Sequence, residues 1–374
     1  MTAARQVRVN LAGAAHDITI EPGVLARVGP LVAQVAPGPA ALLVMDEKIA
    51  DDHGAVALDS LRSAGFTVAT ATLTARESLK TLQTVRALYD TMLAGADGAT
   101  LDRGSPVVAL GGGIVGDTAG FAAATYMRGV PLIQVPTTLL AMVDAAIGGK
   151  TGVNVPLPDG GLGKNLVGAF WQPRAVVTDP TVLATLATRE LRCGLGECIK
   201  HAIITDDGRF AFLERNAEAI QAGHVDTLTE LITRSAAVKI DVVRGDEREA
   251  GGRAVLNLGH TFAHAIETFP ALDVHHGEAV AIGLVAAAAC AVATDRLDAA
   301  DAARIESLIR LLGLPATLPD AVAVDRAVAA MQYDKKVAGG RLRLVLPCAI
   351  GRVEIADDVP IEIVRDAWRR VGAC

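Results

Sequence analysis

The chain has 374 residues, 51% of them hydrophobic and 21% charged, with a formal net charge of −7. That length exceeds one simple core and predicts two domains of the usual ~150 residues. The acidic balance argues against a nucleic-acid partner, which demands a basic face, but leaves room for a local basic cleft that takes an anionic small molecule.

The N-terminal residues, Met1 to Val7, alternate like a strand and show no apolar signal core. Ala41–Met45 reads as a strand, followed by a helical stretch to about Ser63. Phe66–Leu73 reads as a second strand, and Leu79–Leu93 is helical by its apolar spacing. Pro106–Leu110 is a strand that runs straight into glycines, Asp117–Met127 is a helix, and Val130–Val135 is a further strand. Strands alternating with helices predict an α/β domain with a mostly parallel, Rossmann-like sheet. From about Pro180 the pattern turns helical, over Arg189–Ile204, Arg209–Ala222, Val225–Arg244, Ala254–Thr268, Gly277–Thr294 and Ala300–Leu312. This shift predicts a domain over 1–180 and a mainly α-helical one over 181–374. Arg341–Leu346 alternates and reads as a late strand.

The longest apolar run, Ala279–Ala293, is shorter than the roughly 18 residues that span a bilayer, so it reads as a buried helix. The five cysteines, Cys193, Cys198, Cys290, Cys348 and Cys374, contain no C-x-x-C pair, and their odd number suits a reducing compartment. The expectation is a cytoplasmic protein with no membrane partner.

Gly111-Gly-Gly-Ile-Val-Gly116 matches G-x-G-x-x-G between a strand and a helix, the context in which backbone amides take a pyrophosphate. A plain tight turn satisfies the same pattern. The acidic residue that a standard dinucleotide site places at the end of the next strand is missing; that strand ends in Pro136-Thr-Thr138. Asp46 ends an earlier strand and is the candidate ribose partner. Gly148-Gly-Lys150 is no phosphate loop of the ATPase kind, because Asp144 stands where that motif needs glycine.

His260 and His264 share one helix face, His276-Gly-Glu278 opens the next helix, and Glu197 lies in the helix that opens the second half. One buried histidine would be core; histidines at helical spacing with carboxylates suit zinc with an open position. Spacing leaves the ligand set open. Glu197 and His201 form a competing i, i+4 pair, and His264 is a ligand or an acid–base group. Lys150 and Lys164 each follow glycine in an apolar region, where an unpaired ammonium is costly. With Lys200, Lys239, Arg253, Lys335 and Lys336 they would favour a phosphorylated or carboxylated substrate.

With these residues in view the chain resembles the dehydroquinate synthase family of sugar phosphate cyclases, from about Asp46 to Gly351. The resemblance is carried by Gly111–Asp117, Ala124-Thr-Tyr-Met-Arg-Gly129, Gln134–Leu140, Val143-Asp144, Gly148–Gly152, Gly163-Lys-Asn165, Gly168–Pro173, Leu256–Phe262, His276-Gly-Glu278 and Asp334-Lys-Lys336. It implies NAD held by Asp46, Glu77, Lys80, Gly112, Gly113, Ile114, Gly116, Asp117, Thr137, Thr138, Lys150, Lys164, Val182 and Thr185. It implies one divalent ion, zinc or cobalt, on Glu197, His260 and His276. Substrate would meet Asp144, Lys150, Lys164, Asn165, Lys200, Lys239, Arg253, Asn257, His264 and Lys335. Arg128 would reach the partner's site in a homodimer. The implied reaction turns 3-deoxy-D-arabino-heptulosonate 7-phosphate into 3-dehydroquinate and phosphate without consuming NAD. Valiolone- and inosose-forming cyclases, a glycerol-type metal dehydrogenase and an inactive binding protein are the rival readings. The chain departs from the family in a longer segment over 155–162, which puts Lys164 in doubt, and in His201, where the family often has tyrosine.

Overall fold

The computed structural model describes residues 5–10, 15–97, 100–158, 161–246, 252–332 and 342–374. The Asp334-Lys335-Lys336 stretch lies outside them. Contacts divide the chain into two units, Met1–Leu186 with Leu228–Ile240, and Ala187–Thr227 with Asp241–Cys374.

In the first unit, short apolar runs become strands. These are β1 (Arg5–Val9), β2 (His16–Ile20), β3 (Ala40–Asp46), β4 (Thr67–Leu73), β5 (Val107–Gly111), β6 (Leu132–Pro136), β7 (Lys150–Pro156), β8 (Leu162–Phe170) and β9 (Ala175–Thr178). Seven of them form one sheet in the order β1-β2-β9-β6-β5-β3-β4. All its pairs are parallel except β1 with β2. β5 and β6 are buried along their whole length, as parallel strands covered on both faces must be. Leu42, Val44, Val107 and Ala109 share a core with α3 (Leu82–Ala94) and α4 (Gly113–Thr125). Strand alternation turns the equally buried Ala41, Leu43, Val108 and Leu110 to the other face. Helices α1 (Val28–Val35) and α2 (Ala55–Ser63) pack on each other. β7 and β8 form a separate antiparallel hairpin.

The second unit is helical: α5 (Thr188–Thr205), α6 (Asp207–Gln221), α8 (His260–Glu267), α9 (His276–Ala293), α10 (Ala299–Leu311), α11 (Val324–Gln332) and α12 (Ile361–Arg370), with a hairpin of β10 (Leu344–Ala349) and β11 (Arg352–Ala356). Helix α7 (Val225–Gly245) contributes its middle to the first unit and its ends to the second. The fold is thus the expected α/β sheet followed by helices. The apolar run seen in the sequence is α9, onto which α5, α8, α10, α12 and β10 pack.

Two expectations need correction. The predicted helix over 254–268 is broken into a 3-10 turn, Gly252–Asn257, and α8, because Gly259 takes the left-handed φ of 75° at the N-cap of α8. The predicted late strand falls three residues further on, at β10.

Glycines set how closely α9 meets its neighbours. A Cβ on Gly277 would fall inside the carbonyl of Cys193 in α5, and one on Gly196 would meet the Gly277 carbonyl at 2.5 Å. A Cβ on Gly283 would likewise strike the Gly259 carbonyl ahead of α8. Small residues here let backbones touch, and interiors packed at this density do not yield to an added methyl. Gly277→Ala should therefore lower stability by about 3 kcal/mol or more, measured by urea unfolding. Gly245→Ala, which has nothing within 4 Å of the new Cβ, should stay within about 1 kcal/mol of the parent.

Candidate active site

The close crossings place three side chains together. Glu197 follows Gly196 on α5, His276 precedes Gly277 on α9, and His260 follows Gly259 on α8. Glu197 Oε1 lies 3.4 Å from His260 Nε2 and 3.5 Å from His276 Nε2. Ligand atoms of the three lie within 4.8 Å of one another.

The outer ring nitrogens are engaged elsewhere. His260 Nδ1 donates to the Leu258 carbonyl at 3.1 Å, and His276 Nδ1 to Glu267 Oε1 at 2.9 Å. Each Nε2 then faces the buried Glu197 carboxylate, the position from which a neutral ring could give its lone pair to an ion. Two imidazole lone pairs and a carboxylate oxygen aimed at one point fit a divalent cation, with a carbonyl and a carboxylate fixing the tautomers behind them.

Electrostatics agree. Burial works to raise the Glu197 carboxyl, but the Lys200 ammonium and the facing rings of His260 and His276 overcome it and hold it well below the ordinary range. Burial, helped by Lys200, lowers His260 to about 4. Burial also acts to lower His276, yet Glu197 and Glu267 lift it to about 10. Carboxylates on both sides of this imidazole call for positive charge there.

The competing pair is placed differently. His201 Nε2 is 4.0 Å from the other oxygen, Oε2, which also meets Lys200 Nζ. His264 sits edge-on to His260, with ring centroids 5.5 Å apart. His275 caps α9: its backbone N–H donates to Glu278, and its ring faces Glu190 at 3.1 Å. Glu278 is held by Arg189 through Nε and Nη2, both at 2.9 Å. Arg253 is buried in the 3-10 turn that also carries Asn257, its N–H donating to Asp246.

In the first unit the candidate dinucleotide residues stand at the carboxyl ends of adjacent parallel strands, where open α/β sheets bind ligands. Asp46 ends β3, Gly112 to Gly116 follow β5, Thr137 and Thr138 follow β6, and Val182 and Thr185 follow β9. Gly112 and Gly113 open α4, and a Cβ on either would approach Thr138 or Ala145 to 3.1–3.2 Å. The turn is a backbone cradle at a helix N-terminus, which fits a pyrophosphate. Thr185 Oγ1 donates to the Val182 carbonyl and meets His53 Nε2 at 2.8 Å.

Lys80 is buried, and its Nζ meets Asp117 Oδ2 and Asn165 Oδ1, each at 2.5 Å. Burial raises the Asp117 carboxyl, against the pull of Lys80. Lys239 pairs with Asp144. Lys164 and Asn165 lie in β8 where the register jumps from Val153↔Val167 to Val155↔Gly163, so a bulge carries them. Of the longer segment over 155–162, Val155 and Pro156 end β7 and Leu162 begins β8, the Leu157 N–H donates to the Gly161 carbonyl, and pairing on both sides of the bulge is kept. Lys150 begins β7 and is exposed.

Sequence reasoning missed Glu267, although it stands seven residues after His260 and three after His264 on the same helix, a period that could have revealed it. It missed His53 and Asn154, whose partners are distant in sequence.

Residues 70–193 match the family model for the 3-dehydroquinate synthase N-terminal region, and residues 194–337 the one for its C-terminal region. A 3-dehydroquinate synthase of Nostoc punctiforme (strain ATCC 29133 / PCC 73102) is 46% identical over 362 residues, covering 96% of this chain and 97% of its own. The chain belongs to the 3-dehydroquinate synthase family. The 2-epi-5-epi-valiolone synthase of Streptomyces hygroscopicus subsp. jinggangensis 5008, solved with NAD+ and Zn2+, superposes with a TM-score of 0.85 at 29% identity, over 97% of this chain and 98% of that one. A 2-deoxy-scyllo-inosose synthase, solved with carbaglucose-6-phosphate, NAD+ and Co2+, gives 0.87 at 25% identity, over 98% and 100%.

For this member of the synthase family, elemental analysis should find one divalent ion per chain, lost in Glu197→Ala and His276→Ala and kept in His201→Ala. Glu267→Gln should weaken ion binding by about 10- to 100-fold, measured by chelator competition. Retention of the ion by Glu197→Ala, with loss in His201→Ala, would move the ligand set to the other helix face.

Proposed function

We propose that the chain catalyses the NAD- and metal-dependent conversion of 3-deoxy-D-arabino-heptulosonate 7-phosphate to 3-dehydroquinate and phosphate, a carbon–oxygen lyase reaction of the shikimate route to chorismate and the aromatic amino acids. The observation that carries this reading is the group of buried Glu197 with partly exposed His260 and His276 in a chain 46% identical to a 3-dehydroquinate synthase over nearly its whole length.

Glu197, His260 and His276 would hold zinc or cobalt, with Glu267 and the Leu258 carbonyl orienting the rings. The glycine turn would take the NAD pyrophosphate and Asp46 a ribose, with Ile114, Thr137, Thr138, Val182 and Thr185 alongside. Glu77, Lys80 and Asp117 would complete the cofactor site. When bound, NAD supplies a transient hydride acceptor and the ion a Lewis acid, which together acidify a C–H bond beside the departing phosphate. Lys150, Lys164, Lys200 and Lys239 would neutralise phosphate and carboxylate, and Asp144, Asn165, Asn257 and His264 would orient hydroxyls. NAD would act catalytically in this reading, so the reaction would have no net redox change. Net NADH accumulation would instead indicate a glycerol-type dehydrogenase.

The nearest rivals act on sugar phosphates without a carboxylate. Their structures share the fold, at 29% and 25% identity against 46% for the synthase. Arg253 is the cation assigned to the carboxylate. A site that pairs a substrate carboxylate discriminates by about 1–3 kcal/mol or more against a substrate lacking that group. Phosphate release with catalytic NAD should be at least ~10-fold faster from the heptulosonate phosphate than from sedoheptulose 7-phosphate. Comparable rates from both would overturn the substrate assignment and leave the family intact.

The same reading makes the protein a cytoplasmic homodimer in which Arg128 serves the partner's site. Met127, Arg128 and Gly129 have φ of 48°, 65° and 121°, a left-handed run that costs the two non-glycine residues of order 1–3 kcal/mol each. Trp171 holds the loop, donating Nε1–H to the Val130 carbonyl at 3.0 Å and packing against Gly129. Met127, Leu162, Leu166 and Phe170 are 40–47% exposed, an apolar display that suits a second copy. Mixing Arg128→Ala with Lys150→Ala protein should restore activity through hybrid dimers. An active monomer in sedimentation would refute this.

A further inference from the structure

Asn154 belongs to none of the sets assigned above, and only 1% of its surface is exposed. A buried primary amide must have both its donors and its acceptor satisfied. Its Nδ2 donates to Glu77 Oε1 at 2.8 Å and to the Glu77 carbonyl at 2.9 Å. Its Oδ1 accepts from the Asn165 N–H at 2.9 Å. Its own N–H donates to the Lys80 carbonyl at 2.8 Å.

These partners are two different groups. Glu77 and Lys80 flank a short 3-10 turn ahead of α3, and Asn165 lies in the bulge of β8. The ladder is interrupted at the bulge, so the Asn165 N–H takes its partner from a side chain instead. Asn165 is held there at a left-handed φ of 53°. Lys80 closes the ring from the far side, joining Asn165 Oδ1 to Asp117 in the second turn of α4. Asn154 therefore hydrogen-bonds both the Glu77 turn and the backbone of the bulge.

We infer that Asn154 is a positioning residue that couples the cofactor-side group, Glu77, Lys80 and Asp117, to the bulge residues Lys164 and Asn165. Each half of its amide supports a different binding step: Nδ2 supports NAD through Glu77, and Oδ1 supports the sugar phosphate through the bulge. The inference rests on the functional reading given above.

The two halves are separable. Asn154→Asp is nearly isosteric, keeps an oxygen to accept from Asn165, and sets a second acceptor against Glu77. Asn154→Ala removes both contacts. In the full-length holoenzyme, Asn154→Asp should raise the Kd for NAD about tenfold while the KM for the heptulosonate phosphate stays within about twofold. Asn154→Ala should raise both by about tenfold. Adding Asn154→Asp to Glu77→Ala should produce no further loss of NAD affinity. Melting temperatures are followed alongside, and if Asn154→Ala fails to fold, the split in Asn154→Asp alone carries the test. Equal losses of NAD and substrate in Asn154→Asp, or a change confined to its melting temperature, would overturn the coupling. So would unchanged NAD binding in Asn154→Asp while the parent binds NAD normally. Absence of NAD binding by the parent would instead overturn the functional reading, and the coupling with it.

Discussion

The second unit depends on backbones that touch. Where α5 meets α9, Gly196 and Gly277 leave no room for a methyl group, and Gly259 and Gly283 do the same ahead of α8. Each of the three converging polar side chains is the immediate sequence neighbour of one of these glycines. The geometry of the group is thereby set by the main chain, which is far stiffer than side-chain rotamers. A carboxylate with an adjacent ammonium, buried to 1% and 2% exposure, is costly to desolvate, and rigid placement keeps its attraction for the facing rings undiluted. Cys193, at the same crossing, accepts from the Gly277 N–H, and burial pushes its thiol up to about 12, so it stays protonated and inert.

The first unit solves a different problem. It must bury a lysine next to strand ends that are otherwise apolar. Lys80 is met by Asp117 from α4 and Asn165 from the bulge, so two segments distant in sequence converge on one ammonium. Burial would push the Asp117 carboxyl toward neutrality, and the ion pair opposes it. A charged residue in such a place constrains its surroundings more than a leucine would, because every one of its donors demands a partner in a fixed direction.

Much of this was legible in the chain. Periodicity located β3 to β6, the helix after the glycine turn and α9, because long apolar runs and unbroken spacing survive tertiary context. The i, i+4 histidines, the His-Gly-Glu turn and Glu197 marked the region, but it was the family resemblance that singled out Glu197, His260 and His276, since spacing alone left His201 as an equal candidate. The two sets differ in which Glu197 oxygen each ring faces, a property of the α5–α9 and α8–α9 crossings that no local pattern encodes. The break at Gly259 was missed because one glycine in an apolar helical pattern reads as tolerated. β2 and β9 were missed because short strands carry little signal. Asn154 stayed invisible because an asparagine among turn residues is ordinary, and its partners lie 77 and 11 positions away.

Helix α7 has one further consequence, for biogenesis. Its residues Leu228–Ile240 complete the first unit, yet they follow a stretch, Ala187–Thr227, that belongs to the second. Lys239, the partner of Asp144, is among them. A ribosome releasing this chain in order cannot deliver a finished nucleotide-type domain after some 186 residues. It must first emit α5, whose packing partner α9 has not yet been made, and α6, which packs on α5 and α10. Until α7 emerges, the first unit lacks one of its segments, and the nascent chain holds apolar surface from both units at once, the condition under which chaperones engage growing polypeptides.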